Sequence, residues 1–313
     1  MFSSTDLKII TGNANRPLAE SIARMLGVGL CPVVVRRFSD GEIFVKIEEN
    51  IRGSDTFVVQ PTNPPADNML ELLLMVDALR RSSAGRITAV VPYFGYARQD
   101  RKDQPRVAIG AKLMSNLITQ AGVDRVMMLD LHSHQIQGFF DIPSDHLYSV
   151  NLFVNYFKSL GLKNMVVVCP DIGGAKMARG YAGRLDAPMA FIEKRRPQPN
   201  VAAALNIVGD VSGKHVIIVD DIIDTGGTLV AACNAIQEKG PRSIHVGITH
   251  AVLSDDAPRR LMDSPITELA VTDTILIPES KRFPKLKVLS VSDLLGKAIT
   301  FIHNDESVSA LFT

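Results

Sequence analysis

A chain of 313 residues has room for two domains, and 46% hydrophobic with 21% charged residues is a globular composition. A net charge of +1 excludes the long-range field that would select nucleic acid or an acidic membrane, so local clusters of Arg must do any anion binding. Cys31, Cys169 and Cys233 lie far apart with no CxxC, which points to buried thiols in a reducing compartment rather than to disulfides. The opening MFSSTDLKII has no secretory pattern and no apolar run is long enough to span a bilayer, so a cytoplasmic protein without a membrane partner is expected.

In chain order, LKIITG (7–12), PVVVRRF (32–38), TFVVQP (56–61), RITAVVPYF (86–94) and RVMMLDLH (125–132) read as strands. PLAESIARMLG and NMLELLLMVDALRRSSAG lie between them with apolar faces of helical period. The rhythm returns in NMVVVCP (164–170), PMAFIEK (188–194), HVIIVDD (215–221), SIHVGITHAV (243–252) and ELAVTDTI (268–275). Alternation of this kind predicts an α/β fold with mainly parallel sheets flanked by helices, and the matched halves predict a duplicated unit. A boundary near residue 145 fits the proline-containing connection FDIPSDHLYS.

Six segments carry chemistry. In RRFSDGEIFVKI (36–47), Phe38 offers a stacking face, and Asp40 and Glu42 are acceptors on what is otherwise an ordinary tight hairpin turn. In YFGYARQDRKDQPR (93–106), Arg98, Arg101 and Arg106 stand with Gln99 and Asp103. Forked guanidinium donors suit phosphate and Gln99 suits a purine edge, although a solvated charge run is the plain alternative. In DLHSHQIQGFFDIP (130–143), His132 follows a strand and crowds with Asp130 and His134, where imidazole can meet a metal or a phosphate oxygen. CPDIGGAKMARGYA (169–182) puts Asp171 at a strand end before a glycine turn, as a ligand or as a helix cap. EKRRPQPN (193–200) sets Lys194, Arg195 and Arg196 before a polar, proline-rich stretch that reads as a lid or as a surface basic cluster.

VIIVDDIIDTGGT (216–228) is the most specific of the six. A buried strand, then Asp220, Asp221, Asp224, Thr225, Gly226, Gly227 and Thr228, then a helix, make an anion cradle. Its glycines permit close backbone approach, and the helix start adds partial positive charge. Carboxylates beside such a cradle make sense against sugar hydroxyls or a metal, so the segment reads as a pocket for a phosphorylated sugar. An ordinary turn with a capping Asp is the alternative. There is no GxxxxGK[ST] and no GxGxxG, so neither a Walker loop nor a dinucleotide or kinase glycine loop is signalled.

The last segment resembles the 5-phosphoribosyl-diphosphate loop of the type I phosphoribosyltransferase fold. From about residue 8 onward the chain resembles the ribose-phosphate diphosphokinases, class I and bacterial-like. The resemblance implies two phosphoribosyltransferase-like domains: 1–145 with about 293–303, and 146–292 with about 304–313. It implies transfer of the β,γ-diphosphoryl group of ATP to ribose 5-phosphate for nucleotide biosynthesis, with Mg²⁺ at His132 and Asp171. ATP would meet Phe38, Asp40, Glu42, Arg98, Gln99, Arg101, Asp103 and His132. Ribose 5-phosphate would meet Asp220, Asp221 and Asp224 to Thr228. Lys194 and Arg196 would be catalytic, on a basic loop closing over the transferred group. The hairpin of Phe38 would serve a neighbouring subunit, in a homohexamer regulated by ADP or phosphate near Arg52, Ser82, Ser307 and Ser309. His134 and Asn50 depart from residues common at those places. A phosphoribosyltransferase would share residues 164–240 but leave the first half unexplained. A non-catalytic regulatory homologue would have no need of Asp171, Lys194 and Arg196, all of which are present.

Overall fold

The structure, a computed structural model, describes residues 6–170, 173–195 and 204–311. The chain divides into two compact α/β units: Met1–Tyr148 with Thr274–Leu276 and Ser290–Thr313, and Ser149–Asp273 with Ile277–Leu289.

The first unit contains β1 (Leu7–Thr11), α1 (Arg16–Leu26), β2 (Val33–Arg37), β3 (Ile43–Ile47), β4 (Asp55–Val59), α2 (Asp67–Arg81), β5 (Arg86–Val91), α3 (Gly110–Ala121), β6 (Arg125–Leu129) and β7 (Ser144–Leu147). The second contains α4 (Val150–Ser159), β8 (Met165–Cys169), α5 (Ala175–Leu185), β9 (Met189–Arg195), β10 (Ala204–Val208), β11 (His215–Ile223), α6 (Gly227–Gln237), β12 (Ser243–Ala251), α7 (Ala257–Met262), β13 (Glu268–Thr272) and β14 (Leu286–Leu289). The chain then re-enters the first unit with α8 (Ser292–His303).

The first sheet is parallel in the order β1-β4-β5-β6-β7, with β2 and β3 forming a separate antiparallel hairpin. The second runs β10-β9-β8-β11-β12-β13-β14, parallel except for β10. Strands covered on both faces become apolar runs, as in β8 (MVVVC), where Val166 to Cys169 are buried. Helix α1 shows the local logic. Asn15 accepts the Leu18 N–H, Pro17 sits in the first turn, and Gly27 ends the helix at φ 70°. Its Leu18 and Ile22 are buried, worth roughly 1.5–3 kcal/mol each relative to exposure.

Duplication is visible in the connectivity. Each unit runs strand, helix, antiparallel hairpin, strand, helix, strand, helix, strand, strand. Helix α4 packs on α5 in the second unit, and α8 packs on α1 in the first. Thus the C-terminal helix fills in the first unit the place that α4 fills in the second.

Three expectations shift. Strand β7 belongs to the first sheet, so the first unit extends to Tyr148 rather than to 145. The segment after α8 groups with the first unit, where the sequence reading had assigned 304–313 to the second. The cause is an ion cluster around the buried Asp55. Arg86 makes a two-pronged contact with Asp55 (2.8 and 2.6 Å), donates to the Ile302 carbonyl and pairs with Asp305, while His303 Nδ1 lies 2.7 Å from Asp55. Those hydrogen bonds hold Arg86 above its ordinary pKa. Finally, β11 continues past Asp220 and Asp221 to Ile223, because it pairs with β12 that far although its pairing with β8 covers only His215–Ile218. No helix among the described residues is long and apolar enough to cross a membrane.

Candidate functional site

Open parallel sheets present ligands at the C-terminal ends of their strands, and most of the candidate residues follow such ends. In the second unit Asp220 and Asp221 lie in the last turn of pleat of β11. Strand alternation puts them on opposite faces; Asp221 is 8% exposed and Asp220 is partly open. Asp220 Oδ1 accepts the Asp221 N–H at 2.9 Å. Asp224 to Thr228 then turn into α6. Gly226 holds φ 72°, and Thr225, Gly227 and Thr228 are exposed. The left-handed residue is thus Gly226. Gly227 already belongs to the helix, with only Thr225 Oγ1 near where its Cβ would stand, at 4.0 Å. Gly226 caps α6 without a side-chain bond, and the first-turn N–H groups of a helix have no intrahelical partner.

The turn is supported from behind. Ile223 O accepts from Val252 and Leu253, and Asp224 O accepts from Ser254. Arg260 Nη1 donates to the Thr225 carbonyl at 2.5 Å. The sequence reading missed Arg260, since a hydrogen bond to a main-chain carbonyl imposes no residue pattern. Of the other candidates in this unit, Lys194 falls in β9 opposite Leu205 of β10. Its side chain, Asp171 and Arg196 lie outside the described residues.

In the first unit, Arg98, Gln99, Arg101 and Asp103 lie exposed on the connection from β5 to α3. That connection is anchored at Gly95, whose N–H donates to Thr62 Oγ1 at 2.8 Å and where a Cβ would stand 2.1 Å from the Thr62 carbonyl oxygen. The Gln99 side chain lies against Gly110 at the start of α3, and its carbonyl accepts from Ala111. His132 is exposed, three residues past the end of β6. Its approach is fixed by Asp130 N–H to Leu147 O (3.0 Å) and Leu131 N–H to His146 Nε2 (2.9 Å). His134 turns toward His146, with Nδ1 atoms 3.5 Å apart, and toward Tyr148. Burial and the charge of Asp130 raise the Tyr148 hydroxyl pKa. Among the described residues no group of three or more His, Cys, Asp or Glu converges as a metal site.

The β2–β3 hairpin brings Phe38, Asp40 and Glu42 to one tip. Phe38 N–H donates to Glu42 O, Glu42 N–H donates to Asp40 Oδ1, and Gly41 holds φ 96°. Phe38 is 45% exposed and meets Phe44 edge-on at 5.3 Å, with the Arg36 guanidinium over both rings. An ion pair from Arg37 to Asp67 ties the hairpin to α2. All three cysteines are free and buried, and burial pushes the Cys31 and Cys233 thiols up to about 12, away from the thiolate form.

Comparison with known proteins bears on both units. A family profile described as the N-terminal domain of ribose phosphate pyrophosphokinase matches residues 7–122, and one described as the phosphoribosyl synthetase-associated domain matches 193–313. The ribose-phosphate pyrophosphokinase of Chlorobaculum tepidum is 52% identical over 98% of this chain and 95% of its own. That of Bacillus cereus is 50% identical over 99% and 98%. The crystal structure of phosphoribosylpyrophosphate synthetase from Mycobacterium smegmatis is 42% identical and superposes with a TM-score of 0.90, covering 96% of this chain and all of that one. With near-complete coverage in both directions, the chain belongs to the ribose-phosphate pyrophosphokinase family.

Proposed function

We propose that the chain transfers the β,γ-diphosphoryl group of ATP to the 1-hydroxyl of D-ribose 5-phosphate, giving 5-phospho-α-D-ribose 1-diphosphate and AMP for nucleotide biosynthesis. The observation that carries the reading is the Asp224–Thr228 turn. A left-handed glycine, two exposed threonines and the first-turn N–H groups of α6 form a cradle for a phosphate monoester beside the carboxylates of β11. Ribose 5-phosphate sits there with its 5-phosphate on Thr225 to Thr228 and its hydroxyls toward Asp220 and Asp221. The partial opening of Asp220 supports direct contact, whereas the burial of Asp221 supports a less direct role.

ATP is held by the first-unit set: Arg98, Arg101 and His132 toward phosphates, Gln99 and Asp103 toward the polar edges, and Phe38, Asp40 and Glu42 around the base. The exposed tip of the hairpin supports its serving a neighbouring subunit, in a homohexamer. The anomeric oxygen attacks the β-phosphorus, the bond from that phosphorus to the α,β-bridging oxygen breaks, and AMP departs with the bonding pair. The hydroxyl proton passes to solvent; no side chain stands out as its acceptor. Lys194 and Arg196 offset the charge that builds on the transferring group, a contribution that suits a loose transition state.

His132 and Asp171 would hold Mg²⁺, a cation that takes few protein ligands and keeps water and substrate phosphates. The chemistry a bound Mg²⁺ supplies is charge neutralisation on the triphosphate and a lowered pKa for the attacking hydroxyl. A cytoplasmic location accords with the buried free thiols. The test is incubation of purified protein with Mg-ATP and ribose 5-phosphate: AMP forms only when both substrates are present.

A further inference from the structure

Helix α7 and the connection before it back the phosphate turn without taking part in it. Arg260 reaches from α7 to the Thr225 carbonyl oxygen at 2.5 Å, and Leu261 underlies Gly226, with its Cγ 3.4 Å from where a Cβ would stand. Arg260 is exposed, and among the described residues no carboxylate lies within ion-pair distance of it. Its neighbour Arg259 lies 4.0 Å from Asp263, one helical turn away.

The choice of acceptor has a consequence for the loop. In a trans peptide the C=O and the following N–H point in opposite directions from one plane. A guanidinium holding the Thr225 oxygen therefore turns the Gly226 N–H to the side away from α7. Gly226 at φ 72° has no Cβ to resist rotation of that plane. If the plane rotated over, it would present a carbonyl oxygen instead of an N–H, and a phosphate dianion would meet repulsion where it needs a donor.

We propose that Arg260 is a positioning residue for the 5-phosphate cradle, holding the Thr225–Gly226 peptide so that the Gly226 N–H donates to the phosphate of ribose 5-phosphate. The inference rests on the reading of Thr225 to Thr228 as the 5-phosphate site. Because the 5-phosphate is remote from the reacting oxygen, losing this grip weakens binding in ground state and transition state alike. KM for ribose 5-phosphate rises while kcat at saturation is retained.

The experiment compares wild type, Arg260→Met, Arg260→Lys, Arg259→Met and Thr228→Val. Calorimetry with ribose 5-phosphate and with inorganic phosphate is combined with thermal melts and steady-state kinetics for both substrates. A charge-assisted hydrogen bond corresponds to about tenfold or more in affinity. The expected result is that Arg260→Met loses about that much for both probes, with Tm, kcat and KM for ATP near wild type. Arg260→Lys, which keeps one donor, recovers part of the loss, and Arg259→Met matches wild type. If Thr228→Val weakens ribose 5-phosphate binding and Arg260→Met does not, the positioning role is overturned while the phosphate reading stands. If neither variant weakens it, the phosphate reading itself falls. If Arg260→Met instead lowers Tm and affects both substrates equally, Arg260 is a general prop and the proposal is rejected.

Discussion

Gly226 and Gly227 are adjacent, yet the structure assigns them opposite liabilities. Gly226 sits at φ 72°, where an L-residue costs about 1–2 kcal/mol. A Cβ there would come no closer than 3.4 Å to Leu261, so steric clash adds little. Gly226→Ala should therefore lower stability by about 1–2 kcal/mol, a fall in Tm of roughly 2–8 °C for a unit of this size. Gly227 is the first residue of α6, has no positive φ, and its Cβ would find only Thr225 Oγ1 at 4.0 Å. Gly227→Ala should leave Tm unchanged or raise it, because alanine is the better helix former by up to about 1 kcal/mol. That methyl nonetheless occupies space that a phosphate needs to reach the helix N–H groups, so ribose 5-phosphate affinity should fall at least tenfold. Differential scanning calorimetry and titration with ribose 5-phosphate, run on both variants, separate strain from ligand approach. Normal ribose 5-phosphate binding by Gly227→Ala would refute the argument from close backbone approach. An unchanged Tm for Gly226→Ala would refute the argument from strain.

Lys194→Ala should cut kcat by orders of magnitude with both KM values within a few-fold, as for a cation acting on the transferring group; a large rise in KM at normal kcat in steady-state assays would reject that role. Phe38→Ala should weaken ATP more than ribose 5-phosphate, and subunit-exchanged mixtures with Asp171→Ala should regain activity; mixtures that stay inactive argue against a shared site. His215 and His245 share the Ser243 hydroxyl at 2.6 and 2.9 Å, and His245 Nδ1 is buried with no hydrogen-bond partner among the described residues. Burial lowers both pKa values, helped for His215 by Arg242 and opposed for His245 by Glu268. Imidazoles depressed in the folded state contribute stability above their unfolded pKa, near 6.5, and lose it as pH falls and the unfolded chain takes up protons first. Urea unfolding at pH 7.5 and 5.5 should show that loss, and His245→Asn should reduce it; equal slopes in both proteins would exclude the pair as its source.

The fold was legible where burial is complete. β1, β4, β5, β6, β8, β11, β12 and β13 are covered on both faces or nearly so and stand out as apolar runs. Strands β7, β10 and β14 are edge strands that passed unnoticed because polar residues interrupt them: Ser144, Asp145 and His146 in β7, Asn206 in β10 and Lys287 in β14. Overlooking β7 placed the domain boundary too early, and no periodicity foretells that Arg86 and Asp55 retain the segment after α8. At the site, the phosphate turn was legible as a strand, two glycines and a helix. Which glycine is left-handed was not, because either of two adjacent glycines tolerates that φ. Adjacent aspartates read as a strand end, but pairing with β12 carries β11 through them.

In the proposed reaction the group leaving ATP is the diphosphoryl unit, and ribose 5-phosphate receives it. Phosphorus NMR of a reaction containing the protein, Mg-ATP and ribose 5-phosphate tests this directly. AMP and a sugar 1-diphosphate should appear in equal amounts, with the 5-phosphate resonance of the sugar retained. Formation of ADP with a sugar bisphosphate, or no consumption of ATP in the presence of ribose 5-phosphate, would contradict it.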